Sequence, residues 1–352
     1  MLTEKITTAG KTKEVVRSSR KRRIKEEHRA PRGKKTTEQQ VAINRNGQLS
    51  RATNIVNANF DENCASNGAT YRKGEEPKDR KAALRDRGNW IKRLGRYCEK
   101  EGIEFKYFIV TEQGKNGRWH HHIIMPKIPV SDFGRIWGKG DVYSRDLDDS
   151  GDYKKLAEYL IKKTDWEFDH YEELKGKQRY SISKNLKKPE VEIRHLRGKR
   201  FGTEVRPHKG YRILPESVYV SRNPWSGADY IYYRMVKLTE AEEKNMNKGT
   251  WSNAEIKKLE EMAKKGMTAR KMAWALCRSE TSVRDRLRKM GLKAGKPQVI
   301  YGVYEREKET PLIIGTTEEC CDYLDLKKSS FQSMASRGGT SRVEIVALGK
   351  DI

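Results

Sequence analysis

Residues 108–126 constrain the fold of this chain more than any other stretch. Two apolar segments there flank the turn residues 115–117, Lys-Asn-Gly. Aromatic and β-branched segments on either side of an Asn-Gly pair predict a β-hairpin. Side chains alternate between the faces of a strand, so His120 and His122 should share one face, with His121 on the other. Two neighbouring imidazoles on a rigid strand can hold one divalent metal ion.

The length of the turn decides which residue faces these histidines. A three-residue loop, with Gly117 left-handed, pairs Glu112 with His120, whereas a two-residue turn would pair Glu112 with His121. We favour the longer loop because it gathers His120, His122 and Glu112 as candidate metal ligands. The alternative is that these histidines are hydrogen-bonded structural residues. Three of the chain's seven histidines are consecutive, which favours the metal site.

Composition indicates a partner of opposite charge. The chain has 352 residues, enough for two or three domains, and a net charge of +26. A charge of this size favours nucleic acid, although a ribosome-like basic protein would share it. The five cysteines include no Cys-x-x-Cys pair, which is typical of a reduced, cytoplasmic protein. We expect no membrane span and no signal peptide, because no apolar run is long enough.

The N-terminal third is expected to begin without regular structure. Residues 1–50 hold 14 Lys and Arg against 5 acidic residues, which predicts a disordered basic arm. A short helix is expected at 51–60. A first strand at 65–71 has low β propensity, and a helix at 78–101 ends at Gly102. The chain has no Walker-type phosphate loop, so any helicase would come from the host.

Residues 152–164 predict an amphipathic helix with one unusual tyrosine. The apolar side chains of this segment share a face, and Tyr159 falls outside it. Lysines at helical spacing surround Tyr159, among them Lys162 and Lys163. Ammonium groups there would bind phosphate and favour a phenolate nucleophile. The alternative is a surface tyrosine that stacks on lysine stems.

Two further basic regions predict contacts with nucleic acid. Residues 173–212 hold 13 Lys and Arg against 4 acidic residues, and strands near 230–236 should close the domain. Helices at 252–263, 268–276 and 280–290 with a tight glycine turn match a helix-turn-helix, a small helical bundle without DNA being the alternative. The candidate DNA-binding residues are Arg179, Lys184, Lys187, Lys188, Arg278, Ser279, Arg284, Arg286 and Arg288.

Residues 298–352 predict a small α+β module. Strands are expected at 299–304 and 312–314, helices at 317–324 and 328–336, and a closing strand at 343–348. The module is either a second, winged DNA-binding unit or a protein-contact module, and the sequence does not decide between them.

Several of these stretches together resemble a known family. The segments 118–124 (Arg-Trp-His-His-His-Ile-Ile) and 156–163 (Leu-Ala-Glu-Tyr-Leu-Ile-Lys-Lys) are similar to rolling-circle replication initiators of the HUH endonuclease superfamily. The likeness is to the replication-associated proteins of Gram-positive bacteria and their phages. Supporting segments lie at 70–77, 110–115, 180–189 and 229–236. A departure lies at 67–70, where relatives carry a Leu-Thr-Leu-Thr-like run, which predicts a weak first strand.

The resemblance implies an α+β fold. The expected order is a disordered arm at 1–50, an antiparallel-sheet HUH endonuclease core with flanking helices at 51–240, an all-α helix-turn-helix domain at 248–294 and the module at 298–352. It implies that His120 and His122 bind metal, that Tyr159 is the nucleophile, and that Lys162 or Lys163 is its catalytic lysine. With Glu112 as third ligand, the ion would be Mn²⁺ or Mg²⁺.

The resulting expectation is a cytoplasmic, metal-dependent DNA nickase and strand transferase that starts rolling-circle replication. It would form a 5′-phosphotyrosine on single-stranded origin DNA, bind duplex through the helix-turn-helix, and work with host helicase and polymerase. The alternative is a non-catalytic DNA-binding regulator with a degenerate nuclease domain. A transposase of the same superfamily is a third possibility.

Overall fold

The computed structural model describes residues 2–19, 38–114, 116–174, 177–196, 205–222, 229–247, 250–305 and 311–350. Its strands are β1 (Leu2–Ala9), β2 (Thr12–Ser19), β3 (Cys64–Thr70), β4 (Phe108–Gln113), β5 (Trp119–Pro126), β6 (Val142–Asp146), β7 (Ser181–Ile182), β8 (Glu190–Leu196), β9 (Tyr211–Ile213), β10 (Tyr219–Arg222), β11 (Asp229–Lys237), β12 (Val299–Glu305), β13 (Pro311–Thr316) and β14 (Val343–Lys350). Its helices are α1 (Glu38–Asn59), α2 (Arg80–Lys100), α3 (Val130–Trp137), α4 (Lys154–Lys163), α5 (Asp165–His170), α6 (Glu240–Asn247), α7 (Asn253–Lys264), α8 (Ala269–Leu276), α9 (Glu280–Lys289), α10 (Thr317–Leu324) and α11 (Lys328–Ser336).

These elements form a mixed α+β protein with antiparallel sheets, in two compact units. The first unit comprises residues 8–12 and 40–190, and the second comprises the remaining described residues. In the part of the chain that the structure describes, no helix is long and apolar enough to cross a membrane.

The first unit is built on a five-stranded sheet. Its strand order is β6-β3-β5-β4-β7, and each neighbouring pair is antiparallel. One face packs against α2 and α3 around the fully buried rings of Trp90, Phe133 and Trp137. The other face packs against α1 and α4 through residues such as Val56 and Leu160.

Strand β3 is an interior strand, which corrects the expectation of a weak edge. It pairs along its length with β5 on one side and with β6 on the other. Its small residues suit this position because Ala65 and Ala69 are buried beneath packed helices and neighbouring strands. Low intrinsic β propensity is thus outweighed by pairing on both edges.

The prediction of a disordered arm at residues 1–50 is wrong for the described part of that segment. β1 and β2 join a six-stranded sheet of order β10-β11-β2-β1-β8, with β9 paired to β11, and α1 begins at Glu38. Residues 20–37 of the predicted arm lie outside the described residues. The hairpin is stable because Leu2 and Ile6 are buried, and the buried Glu4 accepts a hydrogen bond from Arg17 at 2.6 Å.

The predicted boundary of the nuclease domain at residue 240 is also corrected. β9, β10 and β11 pair with the N-terminal strands and belong to the second unit. The expected strands near 230–236 do form, as part of β11. The neighbour of β11 in the sheet is β2, which lies more than 200 residues earlier in the chain and could not be found from local patterns.

The C-terminal elements of the second unit form at the predicted positions. α7, α8 and α9 pack around Leu259, Met272, Val283 and Leu287. The last module has a three-stranded sheet of order β13-β12-β14. α10 and α11 complete its core around Phe331, which is fully buried.

Candidate functional site

The histidine hairpin has the register that the three-residue loop predicts. Glu112 pairs directly with His120, and Val110 pairs with His122. The Gly114 amide donates to the Arg118 carbonyl at 2.9 Å, which closes the loop at 115–117. Gly117 has a φ of +80°, the left-handed conformation that favours glycine.

Glu112, His120 and His122 therefore share one face of the sheet. His122 Nε2 lies 3.1 Å from Glu112 Oε1, and both side chains are buried. The rings of His120 and His122 are nearly parallel, with their centroids 6.4 Å apart. Burial lowers the pKa of His120, against the opposing effect of the Glu112 charge. A neutral imidazole is the form that can coordinate a metal ion.

His121 lies on the opposite face, as the strand alternation predicts. Its Nε2 is 2.9 Å from the Tyr71 hydroxyl, and its Nδ1 is 3.0 Å from the Thr111 hydroxyl. Burial lowers the pKa of His121 to about 3, so the ring stays neutral inside the core. Among the three consecutive histidines, His121 is thus a hydrogen-bonded structural residue.

A tyrosine on β6 supports His122 from its other side. Tyr143 Oη lies 2.7 Å from His122 Nδ1. Gly68 lies between them, paired with His122 on one side and with Tyr143 on the other. A Cβ at Gly68 would lie 2.0 Å from two carbons of the Tyr143 ring. The absence of a side chain at Gly68 thus allows the ring to cross β3 and reach the histidine.

Tyr143 and Gly68 were not anticipated as site residues from the sequence, nor was strand β6. A glycine inside a strand often marks the close approach of another group, and Gly68 carried that signal. The hydrogen bond fixes which nitrogen of His122 faces Glu112, because each ring nitrogen has its own partner. Such outer partners orient metal-binding imidazoles. Burial raises the pKa of Tyr143 to about 12, so its hydroxyl keeps its proton at neutral pH.

Tyr159 projects from α4 beside these histidines. Ala157, Leu160 and Ile161 are buried on the other side of the helix, whereas 49% of Tyr159 is exposed. The rings of Tyr159 and His122 meet edge to face, with their centroids 6.2 Å apart. The predicted helical face is confirmed, and it places the candidate nucleophile next to the candidate metal ligands.

The two candidate lysines differ in position. Lys163 Nζ lies 5.1 Å from the centre of the Tyr159 ring. Its charge also contributes to lowering the pKa of His120, so it faces the site. Lys162 is exposed. The geometry therefore favours Lys163 over Lys162 as the lysine that acts with Tyr159.

The donor set suits a divalent ion, although its three members do not converge on one point. Two imidazoles and one carboxylate are ligands that Mn²⁺ accepts, and Mg²⁺ favours the carboxylate. Glu112 and His122 are in contact, and His120 stands beside them on the same face. Within the described residues, no group of three or more His, Cys, Asp or Glu side chains is already arranged to hold a metal ion. A small rotation of the side chains would be needed to complete the site.

The basic residues after α5 fall into two groups. Arg179 donates to Asp165 at 2.6 Å and to the Thr164 hydroxyl at 2.9 Å, and its guanidinium stacks on Phe168. It lines a cavity of about 560 Å³ that also contains Arg80 and other basic side chains. The second group, Lys184, Lys187 and Lys188, is exposed on the loop before β8.

The candidate residues around α9 also divide. The Arg278 side chain is only 6% exposed, donates to both oxygens of Glu255 and to the Thr250 carbonyl, and stacks on Trp251. These contacts hold its guanidinium against the helices of its own unit, which corrects its assignment as a DNA contact. The Ser279 hydroxyl caps α9 by accepting from the Ser282 amide.

The arginines of α9 itself differ in exposure. Arg284 and Arg288 are mostly exposed, each in an ion pair with an acidic residue of its own helix. Arg286 is half-buried and lies over the Trp251 ring. Arg284 and Arg288 therefore remain available as surface cations.

Comparison with known proteins identifies one family likeness. Residues 68–164 match the model of the family described as replication-associated protein, of the ORF2 type. This segment runs from β3 to the end of α4 and contains Glu112, the histidines and Tyr159. No curated protein and no solved structure matches the chain. The family match supports a role in replication initiation.

Proposed function

We propose that this chain initiates rolling-circle DNA replication by cutting and rejoining one DNA strand through Tyr159. The observation that carries the proposal is the position of Tyr159, whose ring lies 6.2 Å from that of His122 on the face that also holds Glu112 and His120. A half-exposed tyrosine beside a buried carboxylate and two imidazoles can reach a phosphodiester that these groups orient. The replication-associated family match over the same residues supports it.

The reaction exchanges one phosphoester for another. Tyr159 Oη bonds to phosphorus as its hydroxyl proton passes to solvent, and the bond from phosphorus to the 3′ oxygen breaks. The leaving oxygen takes up a proton and becomes a free 3′-hydroxyl, while the 5′-phosphate remains on the tyrosine. Attack by a 3′-hydroxyl on this phosphotyrosine reverses the exchange and rejoins the strand. The ester bond keeps the energy needed for that second step.

Charged groups around Tyr159 assist both steps. Lys163 places a cation near the phenolic ring and the entering phosphate, where it favours the phenolate. Tyr143 holds His122 in one orientation. A divalent ion bound by His120, His122 and Glu112 would neutralise charge on the scissile phosphate. The protein groups thus position the phosphate between Tyr159 and the histidine face.

The proposed substrate is single-stranded DNA at a replication origin, because a nucleophile on a helix face cannot reach a stacked duplex backbone without local opening. The exposed Lys184, Lys187 and Lys188 would follow its phosphates. α9, with exposed Arg284 and Arg288, would bind the flanking duplex in a helix-turn-helix arrangement with α8. Host polymerase would extend the released 3′-hydroxyl, and a host helicase would open the duplex.

The test uses the full chain, Mn²⁺ and single-stranded DNA of the surrounding replicon, analysed on denaturing gels and by peptide mass spectrometry. We expect a covalent adduct that maps to Tyr159 and is absent in Tyr159→Phe. Tyr323→Phe is the matched control, since Tyr323 is similarly exposed, at 54%, but lies on α10 in the second unit. DNA binding without any adduct in the wild type would refute strand transfer and favour the non-catalytic regulator.

A further inference from the structure

The second unit contains the same pair of helices twice. α8 and α10 each have eight residues, and each begins after a threonine, Thr268 or Thr316, whose side chain accepts a hydrogen bond from the third residue of the helix. Both helices end at a leucine, and a three-residue turn leads to the next helix. Every corresponding position differs by 48 residues in the sequence numbering.

The turns agree in their backbone conformation. Cys277 and Asp325, which correspond, are the two non-glycine residues with positive φ in the described chain, at 53° and 52°. The amide of each donates at 3.4 Å to the carbonyl three residues earlier. The next amides, of Arg278 and Leu326, donate to the carbonyl five residues earlier at 3.0 and 2.9 Å. A left-handed backbone costs free energy in a residue that carries a side chain, so its presence at both places marks one shared turn.

The buried positions agree as well. Met272 and Val283, which hold α8 and α9 together, are fully buried, and so are their counterparts Cys320 and Phe331. The second helix of each pair is therefore anchored through the same position and presents the same side to solvent. α10 and α11 thus repeat the geometry of α8 and α9 with a different set of surface residues.

Charge in the repeated pair is divided between its two helices. Residues 316–325 contain four acidic residues and no Lys or Arg, whereas residues 327–342 contain four Lys and Arg and no acidic residue. The exposed side of α11 therefore presents cations together with hydrogen-bonding side chains. Its exposed residues are Lys328, Ser329, Ser330, Gln332, Ser333, Ser336 and Arg337.

We propose that α11 is a second duplex-DNA-binding helix, which makes the C-terminal module a second helix-turn-helix in the same chain. The exposed side of the second helix in such a pair is the side that enters the major groove. Serine and glutamine can hydrogen-bond to base edges, and Lys328 and Arg337 can bind phosphates. Because the acidic residues lie on α10 and the cations on and after α11, the partner favoured by α11 is an anion.

The test measures duplex binding by the full chain, with Tyr159→Phe in every sample so that strand transfer contributes nothing. The probe is a fluorescent duplex of about 30 base pairs, and its affinity is followed by anisotropy over a salt series. In Lys328→Glu with Arg337→Glu, we expect affinity to fall about tenfold or more and the salt slope to decrease by about two, one for each lost phosphate contact. The charge-matched control is Lys92→Glu with Arg96→Glu on the exposed side of α2.

The outcomes separate the alternatives. A loss in the α11 variant that clearly exceeds that in the α2 control, with unchanged circular dichroism and heat unfolding, supports the proposal. An equal loss in both variants would show an effect of net charge alone and would overturn it. Unchanged affinity in the α11 variant would also overturn it and assign α11 to a protein partner. None of these results depends on whether Tyr159 cleaves DNA.

Discussion

Replacing Gly68 with alanine should separate Tyr143 from His122. The new Cβ would lie 2.0 Å from two ring carbons of Tyr143 and 2.4 Å from its hydroxyl oxygen, where ordinary contacts begin near 3.4 Å. The ring must therefore move by about an ångström or more, and the 2.7 Å contact with His122 Nδ1 cannot survive. Since 46% of Tyr143 is exposed, the ring can move outward into solvent.

This freedom sets the magnitudes. Overpacking a closed core costs about 1–3 kcal/mol, so an outward movement should cost about 1 kcal/mol of unfolding free energy. Loss of an outer partner of a metal-binding histidine typically lowers metal affinity or activity by about 10–100-fold. Gly68→Ala should therefore weaken Mn²⁺ binding and DNA cleavage far more than it weakens the fold. Tyr143→Phe, which removes only the hydroxyl, should give the same functional loss.

A double-mutant cycle tests the reasoning by denaturant unfolding, calorimetric Mn²⁺ binding and single-turnover cleavage. In a Tyr143→Ala background the three atoms nearest to the new Cβ are gone. Gly68→Ala should then be neutral, or stabilise by about 0.5–1 kcal/mol because alanine restricts the unfolded chain more than glycine does. An equal cost in both backgrounds would refute the reasoning. So would normal Mn²⁺ affinity in Gly68→Ala. The stability arm remains informative even if the chain proves not to cleave DNA.

Four further predictions concern single sites. Lys163→Ala should lower the cleavage rate about tenfold through lost electrostatic stabilisation, whereas the exposed Lys162→Ala should change it little, as single-turnover rates would show. Glu112→Gln should weaken Mn²⁺ binding by about a hundredfold in calorimetry, and Glu158→Gln, whose side chain on α4 is 45% exposed, is its control. Arg278→Ala should cost about 3 kcal/mol in denaturant unfolding because it leaves the Glu255 carboxylate unpaired, whereas Arg288→Ala, whose side chain is 79% exposed, should leave stability unchanged and weaken duplex binding. Burial raises the pKa of the Cys320 thiol from 9.0 to about 11, so the folded module should lose stability as pH rises through that window, and Cys320→Ala should lack that part of the loss.

The sequence by itself determined the parts of this protein that depend on neighbouring residues. The strand alternation and the three-residue turn placed Glu112, His120 and His122 on one face, and the structure has that register. Helical periodicity likewise placed Tyr159 outside the apolar face of α4. Caps and glycine stops located α8, α9, α10 and α11 within about a residue or two. These signals are strong because turns, caps and periodicity act over a few residues of chain.

Only the tertiary structure decided what depends on residues far apart in the sequence. It incorporated the basic N-terminal segment into a sheet with strands more than 170 residues later, and it made the weakly patterned β3 an interior strand. It brought Tyr143 across Gly68 to His122 and packed Arg278 against Glu255. In each case the free energy of burial or pairing comes from a distant partner. Local propensity contains no information about that partner, so no reading of neighbouring residues could have supplied it.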